Sequence, residues 1–145
     1  VMVYTPTPAV EVAKEKSDEP AVLVVFISAL LIFIAKAPVA RAMAEKGGGR
    51  YDNHHPRAQQ ARLTGFGARA LAAHLNSIEA FPLFAEVSHT TQTYGFLIDI
   101  LAVTFVVSRV LYLLFYWWDL HWQRSLVWVV GLACSLLLMI SPALK

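Results

Sequence analysis

The sequence has a single cysteine, Cys134, so no internal disulfide can form and cysteine usage does not report the redox compartment. Charge is scarce: 15% of the 145 residues are Asp, Glu, Lys or Arg, against about 25% in soluble domains. The net charge is +2 and its basic residues are scattered, which leaves no surface for nucleic acid. No Cys/His cluster at metal-ligand spacing occurs. His54 and His55 follow Asp52 and Asn53, but adjacent ligands in a glycine-rich stretch make a poor cage, so no metal site is expected. Internal repeats and low-complexity tracts are absent. Residues 1–19 are mostly acidic where a secretory leader is basic, so cleavage after the first apolar run is not expected. What the chain does have is apolar sequence. AVILMFWYC residues make up 57% of it and mean hydropathy is +0.55. Soluble domains run at about 45–50% apolar on a similar residue set, and disordered chains far lower. The pattern reads as a small multi-span membrane protein of one domain.

A helix crosses the hydrocarbon core with about 20 apolar residues. Residues 20–41, 94–118 and 124–143 each supply such a stretch, the second of them interrupted by Asp99 and Arg109. A fourth span is expected over 61–88, although it carries Arg62, Arg69, His74, Asn76, Glu79 and Glu86. Topology argues for counting it. Lys36, Arg41, Lys46, Arg50, Arg57 and Arg62 lie in or beside the first connection, the second (about His89 to Thr93) has no basic residue, and the third holds Arg124. The tails carry Lys14, Lys16 and Lys145. Basic connections stay in the cytoplasm, which places the first and third connections inside and both tails outside. Residues 1–19 read as a polar tail with one or two helical turns at most. Residues 44–60, with three glycines, Asn53 and Pro56, read as a loop, with Tyr51 to Arg57 a folded turn. The expected architecture is an all-α four-transmembrane-helix bundle spanning residues 20–145.

Ionisable groups inside a span are functional candidates. At 100° per residue, Arg62, Arg69, Asn76 and Glu79 share one face, and His74 points about 140° away as a helix-contact residue. Arg109, Tyr112 and Tyr116 share a face at i, i+3, i+7. Two stripes of guanidinium, carboxylate, amide and phenol groups suit a small, multiply charged ligand. Glutathione, with two carboxylates, an amine and two amides, fits that inventory, as do other anions. The alternative is that Arg69–Glu79 or Arg109–Glu79 simply neutralise each other within the bundle. Trp117, Trp118, Trp122 and Trp128 read as an interfacial belt, Cys134 as a small packing residue, and Pro82 as a kink tolerated in a membrane helix. Asp99 and Glu86 cap or pair and carry no assigned chemistry.

These residues also carry a resemblance. The stretch Arg69-Ala-Leu-Ala-Ala-His74-Leu-Asn76-Ser-Ile-Glu79-Ala-Phe-Pro82-Leu-Phe84 resembles the second-helix signature of the MAPEG family, the membrane-associated proteins of eicosanoid and glutathione metabolism. Arg109-x-x-Tyr112-x-x-x-Tyr116, followed by Arg124-Ser125, resembles the family's third helix and the start of its fourth. Tyr51-Asp52-Asn53-x-x-Pro56-Arg57 is similar to the bacterial branch of uncharacterised members. The likeness covers about residues 20–143. It implies a homotrimer of four-helix subunits with glutathione bound as co-substrate between neighbours. By position, Arg69, Asn76, Glu79, Arg109 and Tyr112 match its binding residues. Arg124 matches the Arg that stabilises the thiolate and Tyr116 a tyrosine lining the site, with Tyr116 or Ser125 the expected hydrogen-bond donor to the sulfur. Lys36 and Arg41 match first-helix contacts. Two departures stand out: Ala72 occupies a place where eicosanoid-forming members carry Arg, and the stretch from Tyr116 to Arg124 is one residue shorter.

The resemblance implies a glutathione-dependent transferase or peroxidase acting on hydrophobic electrophiles that arrive from the bilayer, in a bacterial inner membrane. A rival is a non-catalytic subunit or scaffold of the same fold within a larger membrane complex. A third reading is a binding protein for a lipid or another small anion. Retained Arg124 and Tyr116 favour the enzyme, whereas Ala72 and the short aromatic connection favour the scaffold.

Overall fold

The computed structural model describes the backbone of residues 7–90 and 96–141, and side chains at 7–8, 22–85 and 96–141. Among the described residues are five helices: α1 (Pro8–Lys46), α2 (Pro56–Ala61), α3 (Gly65–Thr90), α4 (Phe96–Trp117) and α5 (His121–Ile140). No strand occurs among the described residues. Among the described residues, three stretches are long and apolar enough to cross a membrane: Val22–Lys46, Phe96–Trp117 and His121–Ile140. α3 is not one of them, because Arg69, Glu79 and Glu86 break up its apolar sequence.

The helix bounds differ from the sequence expectations in several places. α1 starts at Pro8, so residues 8–19 are not a short tail but a continuation of the first long helix. Pro at the first turn sets a helical φ, and the Ala, Glu and Lys that follow are good helix formers. Pro20, expected at the start of a span, lies inside this helix. α1 also outruns residue 41 and ends at Lys46, where the glycine run stops it. The Gly49 amide donates to the Ala44 carbonyl at 2.8 Å while Gly48 sits at φ 69°, a left-handed cap that needs glycine. Residues 44–60 are therefore not all loop, since Pro56 opens α2. Arg62 caps α2 and does not belong to α3, so it falls off the polar stripe. Residues 89–90 continue α3; residues 91–95, the Glu86 side chain, and Lys14, Lys16 and Lys145 as side chains lie outside the described residues.

The basic connection is a folded turn. The Gln59 side-chain amide clamps it, donating to the Arg50 carbonyl at 3.1 Å and accepting from the Asp52 amide at 3.0 Å. Asp52 Oδ1 accepts the His54 and His55 amides at 2.9 and 3.0 Å. Those donors, the His55 amide first, hold the Asp52 carboxyl below its ordinary range, aided by the charges of His55 and Arg62 and opposed by desolvation. A carboxyl whose pKa is lower folded than unfolded stabilises the turn above the ordinary carboxylate range. That support is lost as pH falls through the lowered value. The His54 and His55 amides are accordingly expected to be protected from solvent exchange at neutral pH and to lose protection at a pH well below the ordinary carboxylate range, by hydrogen-exchange NMR. Equal protection at both values would remove Asp52 from the account.

Packing divides along the bundle. α1 and α3 meet through small residues: Ala35, Val39 and Ala42 against Ala70 and Ala73, all buried. A Cβ at Gly67 would stand 3.0 Å from that of Ala42, so the two backbones are close, as small side chains permit in membrane helices. His74 joins this seam, its Nδ1 3.1 Å from the Ile32 carbonyl, as its position off the polar face suggested. α4 and α5 pack through Ser108 and Gly131. At the far end, Phe84 stacks on Phe105 at 4.2 Å between centroids, with Ala102, Cys134 and Leu138 around the pair. Buried serines are satisfied on their own helices: Ser77 donates to Ala73, Ser108 to Phe105 and Ser135 to Gly131.

Candidate functional site

A cleft of about 140 Å³ opens between α3, α4 and α5. Asn76, Glu79, Arg109 and Ser135 form its polar side; Ala80, Leu83, Phe105, Trp128 and Leu132 form its apolar side, with Gly131 at the base of the α5 wall. Asn76 and Glu79 of the α3 stripe meet Arg109 of the α4 stripe here, whereas Tyr112 and Tyr116 do not line the cleft. Arg109 is 6% exposed and its Nη2 donates to Asn76 Oδ1 at 2.7 Å. That bond fixes the amide, whose Nδ2 donates to Glu79 Oε2 at 3.4 Å.

The guanidinium of Arg109 also lies 4.3 Å above the Tyr112 ring. Tyr112 meets Tyr116 edge-on at 5.4 Å, and the Arg124 guanidinium sits 4.3 Å above the Tyr116 ring. One continuous series therefore runs Glu79, Asn76, Arg109, Tyr112, Tyr116, Arg124, joining α3 to the first turn of α5 through α4. Cation–π contact and a planar fork suit Arg at both positions better than Lys. Arg124 stands near a helix N-terminus, where the backbone dipole disfavours a cation, so its stack on Tyr116 is what holds it.

Electrostatically, Arg109 is the unusual member. The ion pairs among the described residues are Arg41–Glu45 and Arg69–Asp119, so neither proposed pairing with Glu79 forms. A guanidinium deep in a bundle, hydrogen-bonded to a neutral amide, is costly unless an anion comes to it.

The remaining sequence candidates lie elsewhere. Arg69 Nη1 is 3.8 Å from Asp119 Oδ2, in the turn between α4 and α5. Ser125 is exposed and donates its hydroxyl to the His121 carbonyl at 3.0 Å. Tyr116, Arg124 and Ser125 are not among the residues lining the cleft. Arg41 is exposed and paired with Glu45, and Lys36 is half-buried. Trp128 lines the cleft and is 41% exposed, while Trp118 and Trp122 are 65% and 73% exposed. The α5 contribution was missed, although Trp128, Gly131 and Ser135 recur at i, i+3, i+7, the same spacing that marked Arg109, Tyr112 and Tyr116. Asp119 and the buried Trp117 Nε1 were also missed.

The chain matches no curated protein and no solved structure at a significant level. A family model described as the MAPEG family matches residues 21–144, nearly the whole chain. This is a membrane protein of the MAPEG family.

Proposed function

We propose that the protein binds glutathione in the cleft and uses it as co-substrate against hydrophobic electrophiles, as a transferase or peroxidase. The observation that carries this reading is the buried Arg109 guanidinium, which faces the cleft with Asn76 beside it and has no carboxylate partner among the described residues. It offers a fork to a ligand carboxylate, Glu79 offers an anion to the ligand amine, and Asn76 serves the peptide amides. Family membership supports glutathione as the ligand.

In this reading α3 is the fourth span. Its face bearing Asn76 and Glu79 needs protein rather than lipid around it. The cleft is small beside the about 300–1,000 Å³ of sites that hold drug-sized ligands. A second copy of the chain completes it, in a homotrimer. The basic residues at 41–62 support a cytoplasmic setting for the connection that carries them, and the likeness of the Tyr51–Arg57 stretch to bacterial members supports a bacterial inner membrane.

A free thiol near pKa 8.5 is only a few per cent ionised at pH 7, and the thiolate is the nucleophile. A guanidinium in a desolvated site lowers that pKa by about one to two, each worth about 1.36 kcal/mol. Arg124 has this role, with the Tyr116 hydroxyl donating to the sulfur, and Ser125 joins them once its hydroxyl leaves the His121 carbonyl. In conjugation the thiol proton passes to solvent and the thiolate sulfur forms a C–S bond with the electrophilic carbon as the carbon–halogen bond breaks and halide leaves. In reduction two glutathione molecules give the disulfide while a hydroperoxide becomes alcohol and water. Arg124→Ala is expected to lower kcat about a hundredfold or more with glutathione affinity kept, measured on a panel of hydrophobic halides and lipid hydroperoxides. Unchanged turnover would sink the role.

One observation favours a second reading, a non-catalytic subunit of a larger membrane complex. Tyr116, Arg124 and Ser125 stand outside the lining of the single-chain cleft. A wild-type trimer that binds glutathione yet turns over no member of the panel, and that copurifies stoichiometrically with another membrane protein, supports this alternative.

A further inference from the structure

We propose that the folded turn at residues 46–62, between α1 and α3, is a preorganised docking surface for the headgroup phosphates of anionic phospholipids in the bilayer that holds the protein. No residue of the cleft or of the series from Glu79 to Arg124 takes part.

Positive charge is concentrated in this turn. It holds four basic residues, Lys46, Arg50, Arg57 and Arg62, and one acidic residue, Asp52, a net of +3 where the whole chain carries +2. All four basic residues are exposed. The ion pairs among the described residues are Arg41–Glu45 and Arg69–Asp119, so none of the four has a carboxylate partner there. The turn's own carboxylate is engaged elsewhere, since Asp52 Oδ1 accepts the His54 and His55 amides. Lys46 bonds to the Thr64 hydroxyl, and Arg57 Nη1 donates to Gln60 Oε1 at 3.3 Å, both neutral acceptors. Three of the four cations are Arg, whose planar fork suits phosphate oxygens.

The charges stand on a fixed frame. Gln59 clamps the turn to the Arg50 carbonyl and the Asp52 amide. A Cβ at Gly47 would overlap both the Arg50 carbonyl and the Gln59 side-chain nitrogen, so the chain is closely folded there. α2 sits with Gln60 buried. Less loop ordering is therefore needed on binding than for a loose basic segment. Depth selects the partner. The 25 residues of the span Val22–Lys46 cover about 37 Å at 1.5 Å each, more than the about 30 Å of the hydrocarbon core. Its charged residues lie at the Lys46 end, so that end emerges among headgroups and the turn begins there. The Arg69–Asp119 ion pair ties the start of α3 to the α4–α5 turn, which puts the exposed Trp118 and Trp122 at the same end. Exposed Trp beside basic residues is the pattern of a membrane–water interface. Cations at that level lie within about a Debye length of lipid phosphates and are drawn to an anionic surface. An acidic soluble protein would match the charge but leave the aromatic residues at headgroup level unexplained.

The test uses the full chain in neutral detergent, equilibrated with equimolar phosphatidylglycerol and phosphatidylcholine of the same acyl chains, with retained lipid counted by native mass spectrometry. Wild type should retain phosphatidylglycerol about fivefold or more over phosphatidylcholine. The triple variant Arg50→Gln, Arg57→Gln, Arg62→Gln should bring the ratio near one. Gln59→Ala keeps every charge and releases the clamp, and should lower the ratio about twofold or more. A thermal melt in the same detergent checks that each variant is folded. A wild-type ratio near one overturns the proposal, and if an acidic soluble protein is captured instead, the surface belongs to that partner. A ratio kept in the folded triple variant overturns it too. So does a ratio unchanged in Gln59→Ala, since loose charge would then suffice. Preference that survives millimolar inorganic phosphate at constant ionic strength supports the lipid as occupant; preference lost to it assigns the surface to a free anion and overturns the proposal.

Discussion

Arg109→Ala should lower glutathione affinity on the order of a hundredfold. Removing one partner of a buried, hydrogen-bonded charge contact costs about 2–5 kcal/mol, and every 1.4 kcal/mol is tenfold in affinity. The loss has three parts. The ligand carboxylate loses its fork, Asn76 Oδ1 loses the donor that orients its amide, and the Tyr112 face loses its cation. Arg109→Lys separates them, because it keeps the charge but neither the fork nor the flat stack. It is expected to recover only part of the affinity. Calorimetry reads the affinity, and a thermal melt in the same detergent checks that the variant is folded. Stability need not fall, since a buried guanidinium without a counter-ion is itself destabilising. Wild-type affinity in a folded Arg109→Ala would show that the ligand does not rest on this group.

Gly131→Val should destabilise the bundle by about 1–2 kcal/mol. A Cβ at Gly131 would meet Ser108 Oγ at 2.7 Å, with the Arg109 Cδ 3.9 Å away. Ser108 cannot yield cheaply, because its hydroxyl is bonded to the Phe105 carbonyl and only 3% of the residue is exposed. Overpacking a seam of this kind costs about 1–3 kcal/mol. The helix propensity gained on leaving glycine, under about 1 kcal/mol, does not offset it. The change also spreads the α4–α5 wall of the cleft, so ligand affinity falls with stability. Ser108→Ala in the same chain should restore much of both, since the next Ser108 atom is at an ordinary 3.8 Å. The shift in melting temperature of the single and double variants checks it. A silent Gly131→Val would mean that α4 and α5 do not pack at this seam.

Much of the site was legible because helical periodicity is a one-dimensional signal. Arg109, Tyr112 and Tyr116 had to share a face of α4, and Asn76 and Glu79 a face of α3, whatever the tertiary packing. The structure joins the two faces through one hydrogen bond, from Arg109 to Asn76. Cys134 and His74 also fell where apolarity and angle placed them. What could not be read is which helix closes the site. Gly131 and Ser135 on α5 look like ordinary membrane-helix residues, and only packing against Ser108 gives them meaning. Arg62 was misplaced because helical angle was extended across a break. Gly65 at φ 56° restarts the helix there, and no angle carries through such a residue. The reach of α1 back to Pro8 was obscured by weighing charge as tail composition, when Ala, Glu and Lys are also helix formers. Asp119, at φ 61°, could have drawn notice only through its backbone, since nothing in its neighbours marks a left-handed cap.

The measurement closest to the central claim is titration of glutathione into the purified wild-type protein in neutral detergent, read by calorimetry. The account predicts saturable binding at millimolar concentration or below, competed by a glutathione analogue that keeps both carboxylates and lacks the thiol. A folded protein that takes up no glutathione at 10 mM, roughly tenfold above the upper end of common KM values, would contradict it.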